Sequence, residues 1–108
     1  MNSKYPELDG FTIYSKIDCE ACVKAEELII SLKEDVNIIE CDDVLKQSYV
    51  RTQFLEHMKK LIGFEYRTFP MIFKDRKFIG GYEDLQNFLN ENIAYKYRDE
   101  QINIQNDF

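Results

Sequence analysis

No apolar run in the 108-residue chain comes near the roughly 20 residues that a membrane-spanning helix needs, so a segment crossing a bilayer is not expected. Cations are in the minority, with 14 Lys and Arg against 20 Asp and Glu, a formal charge of −6. Nucleic acid and anionic membrane surfaces both call for a surplus of positive charge, which argues against either as a partner. Internal repeats, low-complexity tracts and Pro/Gly/Ser linkers are missing as well. The chain therefore reads as one domain. Its first ten residues are polar and include Glu7 and Asp9, unlike a secretory signal. Cysteine is sparse and odd in number, at three, which excludes a fully paired secreted disulfide scaffold. These absences together lead us to expect a soluble, monomeric protein of the cytoplasm.

What is present suffices for a core: 44% of residues are hydrophobic and 14% aromatic. Phe11-Thr-Ile-Tyr-Ser15 has the β-branched and aromatic content of a short strand. From about Glu20 to Lys33, the residues Cys22, Ala25, Ile29 and Leu32 recur at helical spacing. Val36 to Cys41 reads as a second strand, and Val44 to Ile62 as one long helix with Phe54, Leu55, Met58 and Leu61 on its apolar face and Gly63 as its C-terminal cap. Pro70 then opens a strand, Met71 to Lys74, joined by an Asp75-Arg76 turn to a strand from Lys77 to Ile79. Gly80-Gly81 ends that strand, and a helix from about Glu83 to Asn92 carries Leu85, Phe88, Leu89 and Ile93 on one side. Residues 1–10 read as an extension, 11–93 as the domain, and 94–108 as a polar tail in which Tyr95, Tyr97, Ile102 and Ile104 either dock or fray. The order β-α-β-α-β-β-α, with a right-handed parallel start and a closing hairpin, predicts an α/β, thioredoxin-like fold with a four-stranded mixed sheet flanked by helices.

Cys19 and Cys22 stand in a C-x-x-C arrangement where the first strand meets the first helix. A cysteine at that junction faces backbone N–H groups without helical partners and the positive end of the helix dipole. Both favour thiolate, so the Cys19 pKa is expected below the free value of about 8.5. Lys16 adds positive charge nearby. Cys22, one turn later, points inward, which gives an attacking thiolate and a second thiol placed to resolve a mixed disulfide.

Three segments occur in order: Tyr14-Ser-Lys-Ile-Asp-Cys19-Glu-Ala-Cys22, Arg67-Thr-Phe-Pro70 and Ile79-Gly-Gly-Tyr-Glu-Asp-Leu85. They resemble the aromatic-Ser-Lys-x-x-Cys-x-x-Cys, Thr-Val-Pro and Gly-Gly-x-x-Asp-Leu motifs of the glutaredoxin family, and they frame residues 11 to about 93. The resemblance implies a redox-active disulfide between Cys19 and Cys22 and a cis Pro70 facing it. It also implies glutathione as reducing co-substrate, its backbone pairing with that of Phe69. Its γ-glutamyl carboxylate would meet the backbone N–H groups of Tyr82 and Glu83 at a helix start. Asp84 would take its ammonium group, Lys16 and Arg67 its glycyl carboxylate, and Gly80 and Gly81 would permit close approach. The implied activity is electron transport to protein disulfides and glutathione mixed disulfides, so disulfide-containing and glutathionylated proteins are the expected partners. Two departures from the pattern stand out. Glu20-Ala21 replaces a common Pro-Tyr, opposing the Cys19 thiolate with a negative charge, and Phe69 replaces a common valine. A thioredoxin-type reductant served by a flavoprotein reductase, and a carrier of a [2Fe–2S] cluster bridged between protomers, are the alternative readings.

Plainer roles stand beside these. Cys41 reads as a partly buried strand-end residue, and His57, the single histidine, as a packing or surface residue of its helix. With Cys19 and Cys22 they make four potential zinc ligands, but a strand end and a mid-helix position are not expected to converge, so no metal is expected. Tyr49, Phe54 and Phe88 fit core packing. Asp84 fits a helix-start carboxylate, and Lys16 a solvated charge.

Overall fold

The computed structural model describes residues 5–92 and Tyr95; Ile93 and, apart from Tyr95, the expected tail with Tyr97, Ile102 and Ile104 lie outside them. The described elements are β1 (Phe11–Ser15), α1 (Glu20–Ser31), β2 (Val36–Glu40), α2 (Asp42–Leu45), α3 (Ser48–Ile62), β3 (Met71–Lys74), β4 (Lys77–Gly80) and α4 (Tyr82–Glu91). The sheet runs β2-β1-β3-β4, with β1 parallel to β2 and the remaining neighbours antiparallel. This is the expected mixed sheet flanked by helices.

Alternation along the central strands sorts the core into two layers. Phe11, Ile13 and Ile72 meet Ala25, Ile29, Leu85 and Leu89 from α1 and α4. Tyr14, Met71 and Phe73 meet Val44, Phe54 and Met58 on the other face. Tyr95 closes the first layer, its ring 6.0 Å from that of Phe11. Asp75 and Arg76 both take positive φ, at 52° and 68°, the mirror-image turn that suits a two-residue hairpin.

The expected single helix over 44–62 is instead two. Lys46 and Gln47 separate α2 from α3, and Gln47 is extended, at φ −111° and ψ 134°. In one unbroken helix Val44 and Phe54 would point roughly 80° apart, whereas both are buried against the same sheet face. The break lets each face inward, and Arg51 offsets it by donating from its side chain to the Leu45 carbonyl at 3.1 Å. Gly63 caps α3 as expected, at φ 101°.

Residues 5–10 lie along the sheet. Pro6 is buried and its carbonyl accepts from Arg76 Nε at 2.7 Å, while Glu7 N–H donates to Thr12 Oγ1 at 2.9 Å. Strand register pairs Tyr14 with Met71 and Ile72 with Gly80. The ends of β1, β2 and β4 and the start of β3 therefore share one end of the sheet. There the three motif segments meet.

Candidate active site

Cys19 is the N-cap residue of α1, with extended backbone, and its Sγ accepts the Cys22 N–H at 3.2 Å. The two cysteines form a disulfide with Cα atoms 5.2 Å apart. Cys19 is half-buried and Cys22 is 0% exposed. One sulfur is thus open to an incoming molecule while its partner sits beneath it, the asymmetry that the helical spacing predicts.

The loop leading to Cys19 is held from the side. Asp42, the first residue of α2, accepts the Ile17 N–H at 3.0 and 3.3 Å through its two carboxylate oxygens. Asp18 then takes φ 53°, a conformation that Asp tolerates better than most residues. Sequence reasoning missed this clamp, because nothing local links Asp42 to Ile17; parallel pairing of β1 and β2 brings them together.

Opposite Cys19, the Phe69–Pro70 peptide bond is cis and Phe69 O lies 3.8 Å from Cys19 Sγ. The Phe69 ring stacks on Phe54, centroids 6.3 Å apart and planes 7° from parallel. Lys16 Nζ lies 5.7 Å from the centre of the same ring. Arg67 is exposed and paired with Glu65, Nε donating to Oε2 at 2.7 Å, and this hydrogen bond holds the Glu65 carboxyl below its ordinary range. The two cations expected at a carboxylate therefore have neighbours of their own, Lys16 an aromatic face and Arg67 an acid.

At the start of α4, Asp84 Oδ2 accepts the Gly81 N–H at 3.0 Å, the helix-start role considered for it. Gly80 takes φ 130°, and a Cβ there would run into the Asp84 carboxylate. Gly81 abuts the Tyr66 hydroxyl, 3.3 Å from where a Cβ would stand. Tyr66 is half-buried against Phe78 and was not foreseen, since it lies just outside the Arg67–Pro70 motif and only the folded chain brings it to Gly81. The Tyr82 side chain turns into a groove between α1 and α4 lined by Leu28, Leu32 and Leu89, so its backbone is what it offers at the helix start. Glu83 is exposed.

Cys41 stands apart from this cluster. It is fully buried, its Sγ lies 3.6 Å from the Ile39 carbonyl, and burial pushes its thiol pKa up to about 12. His57 packs edge-on against Tyr5, ring centroids 5.2 Å apart. Among the described residues no three His, Cys, Asp or Glu side chains are grouped to hold a metal ion.

A family model described as Glutaredoxin matches residues 11–79. Glutaredoxin 1 from Francisella tularensis, in complex with cacodylate, superposes with a TM-score of 0.61 at 23% identity, over 86% of this chain and 95% of that one. A wheat glutaredoxin gives 0.59 at 29% identity, over 76% and 71% of the two chains. A buckwheat glutaredoxin–glutathione complex gives 0.58 at 24% identity, over 83% and 69%. A search of curated protein sequences finds no match.

Proposed function

Because the chain belongs to the glutaredoxin family and pairs Cys19 with Cys22 at the start of α1, it is a thiol–disulfide oxidoreductase, and we propose that glutathione is its reductant. The observation that carries this reading is a half-exposed Cys19 against the carbonyl of Phe69, with a buried Cys22 behind it.

In the proposed cycle, the Cys19 thiolate attacks one sulfur of a client disulfide, forming a mixed disulfide and expelling the other client sulfur as a thiolate, which takes up a proton. Cys22 then gives up its proton and attacks Cys19 Sγ, releasing the second client thiol and closing the Cys19–Cys22 disulfide. One glutathione thiolate reopens that bond at Cys19 and frees Cys22. A second attacks the bound glutathione sulfur, so that glutathione disulfide leaves and the Cys19 thiolate returns. The helix N-terminus stabilises each thiolate at Cys19.

For the glutathione groove we assign the backbone of Phe69 beside cis Pro70, and the α4 start, where the N–H groups of Tyr82 and Glu83 suit a carboxylate and Gly81 permits close approach. Asp84 suits the ligand's ammonium group. Lys16, and Arg67 once released from Glu65, suit its glycyl carboxylate. The glutathione bound by the buckwheat relative supports this choice of ligand. The working compartment in this reading is the reducing cytoplasm, with the protein monomeric.

A Cys22→Ser variant tests the division of labour. It is expected to keep activity on glutathionylated substrates and to lose most activity on protein disulfides, measured as initial rates on one substrate of each kind. Equal loss on both would overturn the scheme.

A further inference from the structure

The redox pair is bracketed by exposed carboxylates and has two aliphatic side chains left in solvent beside it. Ile17, two residues before Cys19, is 68% exposed, and Val23 is 50% exposed. Val23 donates its N–H to the Cys19 carbonyl at 3.2 Å, one turn along the helix, so it shares a face with Cys19. Asp18 and Glu20 bracket Cys19 and are both exposed. Asp42 is tied to the same loop through Ile17, and Glu83 and Asp84 open α4 at the same end of the sheet. Asp18, Glu20 and Glu83 form no ion pair among the described residues. On the other side of the balance stand Lys16, already over the Phe69 ring, and Lys24 in the second turn of α1; Arg67 is paired with Glu65.

Two exposed aliphatic residues flanking a reactive sulfur, with carboxylates on either side of it, fit one kind of occupant. We propose that the favoured clients are protein segments whose disulfide is flanked by an aliphatic residue and by Lys or Arg. This rests on the oxidoreductase reading above and names the substrate class for it. The aliphatic residue covers Ile17 and Val23, and the client's cations meet the acidic rim, raising the encounter rate and disfavouring acidic segments. The chemistry is the exchange already described: two electrons pass from the Cys19–Cys22 dithiol to the client disulfide, which leaves as a dithiol.

The test uses the full chain, reduced with dithiothreitol and freed of it, in single-turnover reactions quenched with acid and read by mass spectrometry. Two synthetic peptides share one disulfide loop and one leucine, and carry either lysine or glutamate at the flanking positions. The basic peptide is expected to react about tenfold faster at low salt, with the ratio falling toward one near about 0.5 M salt as charges are screened. Replacing its leucine by serine is expected to slow it severalfold. In an Asp18→Asn/Glu20→Gln variant the ratio of the two rates should shrink severalfold, and because it is a ratio, any general change in Cys19 reactivity cancels. Asn tolerates the left-handed backbone of position 18, so the loop is retained. Equal rates, a preference for the acidic peptide, or a ratio unchanged in the variant would overturn the proposal. Glutathione takes no part in this assay, so failure of glutathione as reductant would leave these rates untouched.

Discussion

Cys19 follows β1 and Cys41 follows β2, on neighbouring strands, yet their surroundings separate the two thiols. Cys19 is half-exposed at a helix N-terminus, whereas burial pushes the Cys41 thiol pKa up to about 12. Iodoacetamide added to the reduced, native protein near about pH 8 is therefore expected to label Cys19 first, and Cys41 only after denaturation. Peptide mapping that found Cys41 labelled as fast as Cys19 would contradict this. Glu20, in the first turn of α1, places a carboxylate next to that thiolate. Glu20→Gln is expected to lower the Cys19 pKa by removing that repulsion, read from thiolate absorbance against pH; an unchanged or higher value would count against the repulsion. Gly80 combines φ 130° with the Asp84 carboxylate where a Cβ would go. Gly80→Ala is expected to cost about 1–3 kcal/mol of stability in urea unfolding.

At the scale of elements, α3 stabilises the sheet face beneath the site through Phe54 and Met58. Met58 is fully buried, so Met58→Ala is expected to cost about 2–5 kcal/mol, seen as a lower urea midpoint; a loss below about 1 kcal/mol would mean that the layer re-closes around the gap. The strands, α1, α4 and the Gly63 cap were legible because each is written locally: β-branched and aromatic content for strands, helical spacing for Cys22, Ala25 and Ile29, and turn chemistry at Asp75-Arg76. The α2–α3 break was not, because it depends on Val44 and Phe54 needing the same sheet face. Contacts between distant segments were equally hidden. Asp42 clamping Ile17, Tyr66 against Gly81, and Lys16 over Phe69 each join residues that only the assembled sheet brings together. The redox pair and the cis proline were legible through short motifs. The neighbours that hold Lys16 and Arg67 were not.

For the molecule as a whole, Cys41 and Tyr14 predict how stability changes with pH. Burial raises both folded-state pKa values above their ordinary ones, that of Cys41 to about 12. The folded state thus holds these protons more tightly than the unfolded chain does. That stabilisation is complete below the unfolded thiol's pKa near about 8.5 and is lost as pH rises toward the folded value. The urea midpoint is expected to fall between about pH 9 and 12 and to fall less steeply in Cys41→Ala; parallel profiles for the two proteins would contradict the assignment. The net charge of −6 bears on the client preference proposed above, in which Asp18 and Glu20 beside Cys19 meet the client's cations.

The central claim is that Cys19, backed by Cys22, exchanges disulfides with glutathione. The most direct measurement is reduction of a small glutathione mixed disulfide by glutathione, coupled to NADPH oxidation through glutathione reductase, for the wild-type protein and Cys19→Ser. Turnover that disappears in the variant is the expected result, placing both the glutathione site and the nucleophile at Cys19. No turnover by wild-type protein that still closes its Cys19–Cys22 disulfide would contradict glutathione as the reductant and direct attention to Glu20-Ala21.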